Sequence, residues 1–310
     1  MADKPKGFDA LLKENDIIMG SDESLLMTRV PSGLPALDDL IGGGFAYARS
    51  YLFVGPESTG KTLLAQYVAQ GVQAAGKSAL YIDTELSYDK RWWETVGVDV
   101  SKLYVSQPAT AEKAIDTIRA AMSLPEMGLV ILDSIAGMTP TARLEASAEN
   151  KTMGLLAQAV SVLYQTVVPV NKHTVFIAIN QLRDNMTGYD DVYPGGRMQK
   201  HMSQVILRTR REGWIVEGGQ RIGYNMEVFN RKDKTGGKAQ SSISIPVRFH
   251  GAIDLLASYV DEAIEKKVIQ SIGGPWYGWG EQKFMGKPKL RDFFKDNPEQ
   301  FALLKEKLGQ

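Results

Sequence analysis

The stretch GPESTGKT, residues 55–62, limits the fold of this 310-residue chain more than any other. A loop that holds a nucleotide phosphate needs inward-pointing backbone N–H groups, glycines that allow the required dihedral angles, a lysine for charge and a hydroxyl for a magnesium ion. The stretch provides all four. An apolar run leads into it and a helical pattern follows from Thr62, so a helix N-terminus faces the phosphates. We therefore predict a phosphate-binding loop made of Gly55, Pro56, Glu57, Ser58, Thr59, Gly60, Lys61 and Thr62.

Four short apolar runs indicate the sheet around this loop. They are SYLFVG near residue 52, SALYID near 80, GLVILDS near 131 and TVFIAINQ near 177. Each is apolar throughout rather than alternating, as expected when helices cover both faces of a parallel sheet. Helical patterns lie between them at residues 62–75, 111–122 and 151–168. This alternation predicts a doubly wound, mostly parallel α/β core of the P-loop NTPase kind. After residue 204 the pattern changes to strands with short turns, which we expect to extend one sheet edge in antiparallel fashion.

Composition excludes several classes of protein. Hydrophobic residues make up 44% and charged residues 23% of the chain, which is the ordinary globular range. There is no cysteine, and the three histidines are too scattered to suggest a zinc centre. The chain has neither an apolar run of about 18 residues nor the apolar start of a secretory signal, so we expect a cytoplasmic protein without a membrane partner.

Overall charge does not decide whether nucleic acid binds, because basic and acidic residues both total 36. One basic cluster stands out: residues 197–211, RMQKHMSQVILRTRR, contain five Lys or Arg and no acid. Two interpretations remain open for it, a solvated strand face or a DNA contact.

Two acids follow predicted strands at the edge where ligands gather in open α/β sheets. Asp133 ends GLVILD, where it can hold magnesium through water opposite Thr62; the alternative is a helix cap. Glu85 follows ALYID, where a carboxylate can orient and polarise an attacking water; the alternative is a solvated loop acid.

An ordered set of further motifs resembles the RecA recombinases over nearly the whole chain. The set runs from RVPSGLPALDDLIGGG through GPESTGKT, YIDTE, GVDVSKLYVSQP, VILDS, MGLLAQAVS and INQLR to WYGWGE and KDNPE. The resemblance implies a RecA-like core with ATP and Mg²⁺ as cofactors.

Specific roles follow from this resemblance. It implies that Glu85 is the catalytic carboxylate, that Asp133 is the acid that binds magnesium together with Thr62, and that Gln181 senses the γ-phosphate. Trp92 falls where the family stacks an aromatic ring on adenine, with core packing as the alternative, and Asp89 falls where an acid meets the base edge. Lys232 and Lys234 occupy the region from which the family presents lysines to the γ-phosphate of a neighbouring subunit.

The resemblance also implies two DNA-binding loops, at about residues 144–153 and 183–197. The residues expected to contact DNA are Met153, Gly154, Arg183, Gly195, Gly196 and Arg197.

The resulting hypothesis is an ATP-dependent recombinase that forms filaments on single-stranded DNA and catalyses homologous pairing and strand exchange with duplex DNA. The expected organisation is an oligomerisation segment at residues 1–30, a RecA-like ATPase core at 31–257 and a small α+β domain at 258–310. Partners are single-stranded DNA, duplex DNA and further copies of the chain. The alternatives are a nucleotide-gated DNA-binding scaffold without turnover and a helicase-like ATPase of the same fold.

Overall fold

The computed structural model describes residues 12, 17–146, 154–182, 193–249 and 252–309. The strands in this part of the chain are β1 (Arg29–Val30), β2 (Phe45–Ala46), β3 (Ser50–Gly55), β4 (Ser78–Asp83), β5 (Leu103–Ser106), β6 (Met127–Asp133), β7 (Val175–Gln181), β8 (Val205–Glu217), β9 (Gln220–Asp233), β10 (Ser242–Arg248), β11 (Ala252–Ile253), β12 (Gln270–Gly273), β13 (Trp276–Trp279) and β14 (Gln282–Met285). The α-helices are α1 (Pro35–Leu40), α2 (Lys61–Ala74), α3 (Lys90–Val96), α4 (Ala111–Ala121), α5 (Thr141–Glu145), α6 (Leu155–Val167), α7 (Met198–Met202), α8 (Leu255–Glu265), α9 (Gly286–Asp296) and α10 (Pro298–Lys307).

Strands β3 to β11 form one large sheet in the order β11-β10-β9-β8-β3-β7-β6-β4-β5. The strands from β8 to β5 are all parallel, whereas β8, β9, β10 and β11 pair antiparallel in succession. This confirms the predicted α/β class, including the antiparallel extension at one edge. Strands β8 and β9 extend beyond their buried residues and form a hairpin. The hairpin turns at Gly218 and Gly219, which both have positive φ.

Helices pack on both faces of this sheet, which explains why apolar and polar residues do not alternate along its central strands. Every residue of β3 and of β6 is buried. On one face α2 and α3 contribute Leu64 and Trp93 to a single hydrophobic core. On the other face α4 and α6 contribute Ile118 and Leu163 to a second core.

The C-terminal part has a small core of its own. Strands β12, β13 and β14 form an antiparallel sheet, and Val260, Trp279, Phe294 and Leu304 pack together beside it. The predicted domain boundary between residues 257 and 258 falls inside α8, which also packs on α1 and β10. The division of the chain at that point stays a prediction. Much of the predicted N-terminal segment, residues 1–11 and 13–16, lies outside the described residues.

The C-terminal part of the described chain ends in two helices, α9 and α10, rather than one continuous helix. Pro298 begins α10 directly after the break at Asn297, because proline cannot donate the backbone hydrogen bond that would continue α9. No helix within the described ranges has the length and apolar character needed to cross a membrane.

Candidate nucleotide-binding site

The phosphate loop connects β3 to α2 as predicted. Strand β3 ends at Gly55 and α2 begins at Lys61, with Gly60 as its N-cap at φ 89°. This positive φ favours glycine, and a Cβ atom at residue 60 would also displace the Met226 side chain on β9, whose Sδ would lie 2.5 Å away. The loop therefore presents the N-terminus of α2 at the carboxyl edge of the parallel strands, where anions bind favourably.

Lys61 is folded onto its own loop. Its Nζ donates to the carbonyls of Gly55 at 3.1 Å and Pro56 at 2.6 Å, and only 8% of the residue is exposed. Burial lowers the pKa of Lys61, and the nearby carboxylates of Asp133 and Glu85 oppose that shift. A phosphate group near the loop would give this ammonium a better acceptor than two neutral carbonyls.

Thr62 and Asp133 meet at the other side of the loop. Thr62 Oγ1 donates to Asp133 Oδ2 at 2.6 Å, and the Tyr81 hydroxyl donates to the same oxygen at 3.2 Å. Burial, with the charge of Glu85, raises the pKa of Asp133 to about 6, although the bonds from Thr62 and Tyr81 pull it down.

These two residues fit a magnesium ion held mainly by phosphates and water. Among the described residues there is no group of three or more His, Cys, Asp or Glu side chains placed to hold a metal. Mg²⁺ usually keeps several waters and takes one or two protein oxygens beside substrate phosphates. A threonine hydroxyl beside one carboxylate is such a set.

Glu85, Ser134 and Gln181 gather at the ends of β4, β6 and β7. The Ser134 hydroxyl donates to Glu85 Oε1, and Gln181 Nε2 lies 3.5 Å from the same oxygen. The Glu85 side chain is exposed and lines the cavity described below. Its carboxylate is held by Ser134, the residue directly after the end of β6. Glu85 and Gln181 were predicted as site residues, each with its own role, whereas Ser134 was not identified from the sequence.

A cavity of about 800 Å³ opens over the loop. Its wall includes the predicted residues Glu57, Ser58, Thr59, Gly60, Lys61, Thr62, Glu85, Trp92, Asp133 and Gln181. Trp92 is 38% exposed, whereas its neighbour Trp93 is the buried ring of α3. Asp89 accepts from the Arg91 N–H as the N-cap of α3 and is not among the cavity residues.

Residues from β8, β9 and β10 complete the wall, and sequence reasoning missed them. They are Arg211, Tyr224, Val247, Arg248 and Phe249. The Arg211 guanidinium lies 4.5 Å from the Trp214 ring and 5.0 Å from the Tyr224 ring, and its Nη2 reaches the Ser58 carbonyl at 3.4 Å. No local sequence signal places these residues beside residues 55–62, because only the pairing of distant strands does so.

Lys232 and Lys234 lie near the amino ends of the parallel strands, whereas the phosphate loop lies at their carboxyl ends. Lys232 pairs in register with Ile206 at the start of β8, and the Lys234 N–H donates to Gln204, next to the first residue of β3. Lys232 Nζ donates to the carbonyls of Lys200, His201 and Ser203, at 2.7, 3.0 and 2.6 Å. Both lysines therefore lie near the start of β3, whereas the phosphate loop of the same chain lies at its end.

The predicted DNA-contact residues are only partly described. Gly154 is the N-cap of α6 at φ 90°, and Gly195 and Gly196 have φ of 83° and 78°. Gly195 packs so closely on α6 that a Cβ there would lie 2.7 Å from Val160 Cγ2. Arg197 is exposed just before α7. Met153 and Arg183 lie outside the described residues.

The parallel sheet, the phosphate loop between β3 and α2, Glu85 after β4 and Asp133 at the end of β6 define a P-loop protein with a RecA-like core. Comparison with known proteins agrees: the model of the RecA N-terminal domain matches residues 8–254. Protein RecA of Frankia alni is 31% identical over 326 residues, covering 99% of this chain and 94% of the relative. Protein RecA of Acholeplasma laidlawii is 30% identical over 313 residues, covering 99% and 92%. The chain belongs to the RecA family, a family of DNA recombination and repair proteins.

Proposed function

We propose that this chain is a DNA-dependent ATPase that polymerises with ATP and Mg²⁺ on single-stranded DNA. The filament then promotes homologous pairing and strand exchange with duplex DNA. One observation carries the proposal: the phosphate loop and Glu85 lie at one edge of the sheet, whereas Lys232 and Lys234 lie at the other. Such a site is completed when a second copy places its lysine edge against the nucleotide of the first.

Nucleotide binding is the first step. Backbone N–H groups of the phosphate loop, other than at Pro56, hold the phosphates, and Lys61 exchanges its two carbonyl acceptors for phosphate oxygens. Thr62 and Asp133 would hold Mg²⁺, which would neutralise charge on the phosphates. The Trp92 face offers a flat apolar surface to the base, and Asp89 is proposed to meet the base edge.

Hydrolysis needs a positioned water. Glu85 orients that water and accepts its proton, with the Ser134 hydroxyl fixing the direction of the carboxylate. Lys232 and Lys234 of the adjacent copy add positive charge opposite the phosphate loop. Cations supplied across an interface raise the rate by about 10³ to 10⁵ in other NTPases, so a lone monomer should be nearly inactive.

Gln181 couples the nucleotide to DNA. It lies beside Glu85 and comes directly before the predicted second DNA loop, to which Arg197 belongs. A change in its hydrogen bonding on nucleotide binding would change the order of that loop, which is a known kind of switch. DNA phosphates bound to basic side chains release counterions, so affinity should fall steeply with salt. We place this activity in the cytoplasm.

ATP turnover with and without single-stranded DNA tests the proposal, together with microscopy of the same samples. We expect DNA to stimulate turnover and filaments to form only with nucleotide. Glu85→Gln should lower turnover about 10²-fold or more while its filaments persist. Turnover that DNA does not change would favour a scaffold, and a protein that ignores oligonucleotides with ATP and magnesium present would exclude the recombinase.

A further inference from the structure

Thr59 in the phosphate loop and Thr209 in β8 form a buried pair of hydroxyls. Their Oγ1 atoms are 2.7 Å apart, and the two residues are 4% and 0% exposed. Thr209 does not line the cavity over the loop. It contacts the loop on the side away from the cavity, and it lies in β8 two residues before Arg211, which lines the cavity.

The donors and acceptors around this pair have one consistent arrangement. The Thr59 hydroxyl also lies 2.8 Å from the Pro56 carbonyl, which can only accept a hydrogen bond. A hydroxyl has one proton, so Thr59 donates it to Pro56 and must accept from Thr209. The result is a chain of two bonds from β8 through Thr59 to the backbone of the phosphate loop.

The Pro56 carbonyl is also where Lys61 rests. Lys61 Nζ donates a hydrogen bond to this carbonyl at 2.6 Å. When Lys61 binds a phosphate oxygen instead, the Pro56 carbonyl loses that donor. A carbonyl that keeps a protein donor stays fixed in direction when another donor leaves it. Because Thr59 keeps its bond to Pro56, the carbonyl stays paired after Lys61 moves.

The backbone at the start of the loop packs closely against Thr209. A Cβ at residue 55 would lie 2.4 Å from the Thr209 carbonyl oxygen and 2.6 Å from Thr209 Oγ1. Strand β8 therefore packs against the first residue of the loop, which leaves the Thr209 hydroxyl beside Thr59.

We propose that Thr209 is a positioning residue for nucleotide binding, which holds the phosphate loop in its binding geometry through the Thr59 hydroxyl. This inference rests on the proposed function only in requiring that the loop binds a nucleotide. It adds a residue that contacts neither the nucleotide nor the metal and acts through another side chain.

The test is the affinity of nucleotide-free protein for ADP with Mg²⁺, measured by calorimetry without DNA. Thr209→Val keeps the shape of the side chain and removes the hydroxyl. We expect its Kd for ADP to rise about five- to tenfold, and the KM for ATP to rise with it more than kcat falls. Thr209→Ser keeps the hydroxyl and should restore the Kd to within about twofold of wild type.

Thr174→Val is the matched control. Thr174 is equally buried and donates to the Met127 carbonyl at 2.9 Å, but it precedes β7 at the sheet edge away from the loop. Its substitution should leave the Kd for ADP at the wild-type value. If Thr209→Val does not fold, Thr209→Ala removes the same hydroxyl and should show the same loss.

A double-mutant cycle with Thr59→Val distinguishes an effect of Thr209 through the Thr59 hydroxyl from a general loss of packing around the loop. If Thr209 acts through Thr59, adding Thr209→Val to Thr59→Val should not weaken ADP binding further. An equal penalty in both backgrounds, or a Thr209→Val protein that binds ADP like wild type, overturns the positioning role alone. Wild-type protein that does not bind ADP overturns the proposed function as well.

Discussion

Thr62 Oγ1 lies 2.6 Å from Asp133 Oδ2, so the first turn of α2 is tied to the end of β6. The same carboxylate is buried and close to Glu85, which raises its pKa to about 6. Its position is therefore costly for a charge, and the cost is consistent with a cation that joins the site during function. The hydrogen bond between Thr62 and Asp133 also holds the end of the phosphate loop against β6 by a contact within the protein.

Replacing this carboxylate should separate magnesium binding from folding. Asp133→Asn removes the charge but keeps the shape, so the melting temperature should not fall. We expect the affinity for ADP to drop about 10- to 100-fold in Mg²⁺ and to match wild type in EDTA, because only the ion loses a partner. Calorimetry in the two buffers measures both values.

Asp83 provides the control, since it is the register partner of Asp133 on β4 and is fully buried. It accepts from the Ser87 and Tyr88 N–H groups and from Gln107, so its role is to hold the chain after β4. Asp83→Asn should keep the effect of magnesium on ADP affinity. An Asp133→Asn protein that still gains the full wild-type affinity from Mg²⁺ would exclude Asp133 from the metal site.

Subunit mixing tests whether Lys232 acts on a neighbour. Lys232→Ala has an intact Glu85, and Glu85→Gln has an intact Lys232, so each should be nearly inactive alone. In a random 1:1 filament about one quarter of the interfaces join a good Glu85 to a good lysine, and DNA-stimulated turnover should reappear at about that fraction of wild type. If the lysine acted within its own chain, mixing would restore nothing.

Lys232 has a second role that this experiment must control. Its bonds to the carbonyls of Lys200, His201 and Ser203 hold the end of α7, so Lys232→Ala should also lower the melting temperature. Lys234 is exposed and its side chain makes no hydrogen bond or ion pair within the described residues. Lys234→Ala should therefore lower turnover in filaments without a change in melting temperature.

Two glutamines on α2 predict opposite effects on stability. Gln66 is fully buried, and neither polar atom of its side chain has a partner among the described residues. Gln73 Nε2 donates to the Asp99 carbonyl at 2.8 Å, and its Oε1 accepts from the Asp99 N–H at 2.9 Å. Gln66→Met should raise the free energy of unfolding by about 1–2 kcal/mol, whereas Gln73→Met should lower it by about 1–3 kcal/mol. Urea denaturation of nucleotide-free protein measures both, and a loss of stability in Gln66→Met would contradict this account.

Local patterns predicted the centre of the site better than its walls. Lys61, Thr62 and Asp133 belong to a loop and a strand end, and parallel strands bring their carboxyl ends to one edge whatever the rest of the chain does. Arg211, Tyr224 and Phe249 reach the same cavity only through the order of β8, β9 and β10, which residue pattern does not determine. Strand β5 was not predicted, because at the sheet edge Tyr104 and Val105 are exposed and leave no long apolar run.

Asp38 in α1 should make folding stability depend on pH in an unusual direction. Burial raises its pKa from the ordinary 3.8 to about 6, although it accepts from the Ser32 N–H and hydroxyl and from the Gly33 N–H. The charge of Asp38 in turn helps to raise the pKa of Tyr259. The folded state thus binds the proton more tightly than the unfolded state does. The contribution of Asp38 to stability is largest below about pH 4 and is lost as pH rises through about 6.

Asp38→Asn does not titrate, so the difference in free energy of unfolding between this variant and wild type isolates the effect. That difference should move in favour of the variant by about 2–3 kcal/mol between pH 4 and pH 7. Asp99→Asn is the control of opposite sign, because hydrogen bonds from Ser101 lower the pKa of Asp99 and its stabilising effect is lost as pH falls. A difference for Asp38→Asn that stays constant from pH 4 to pH 7 would mean that Asp38 has the same pKa in the folded and the unfolded protein, which contradicts a pKa raised by burial.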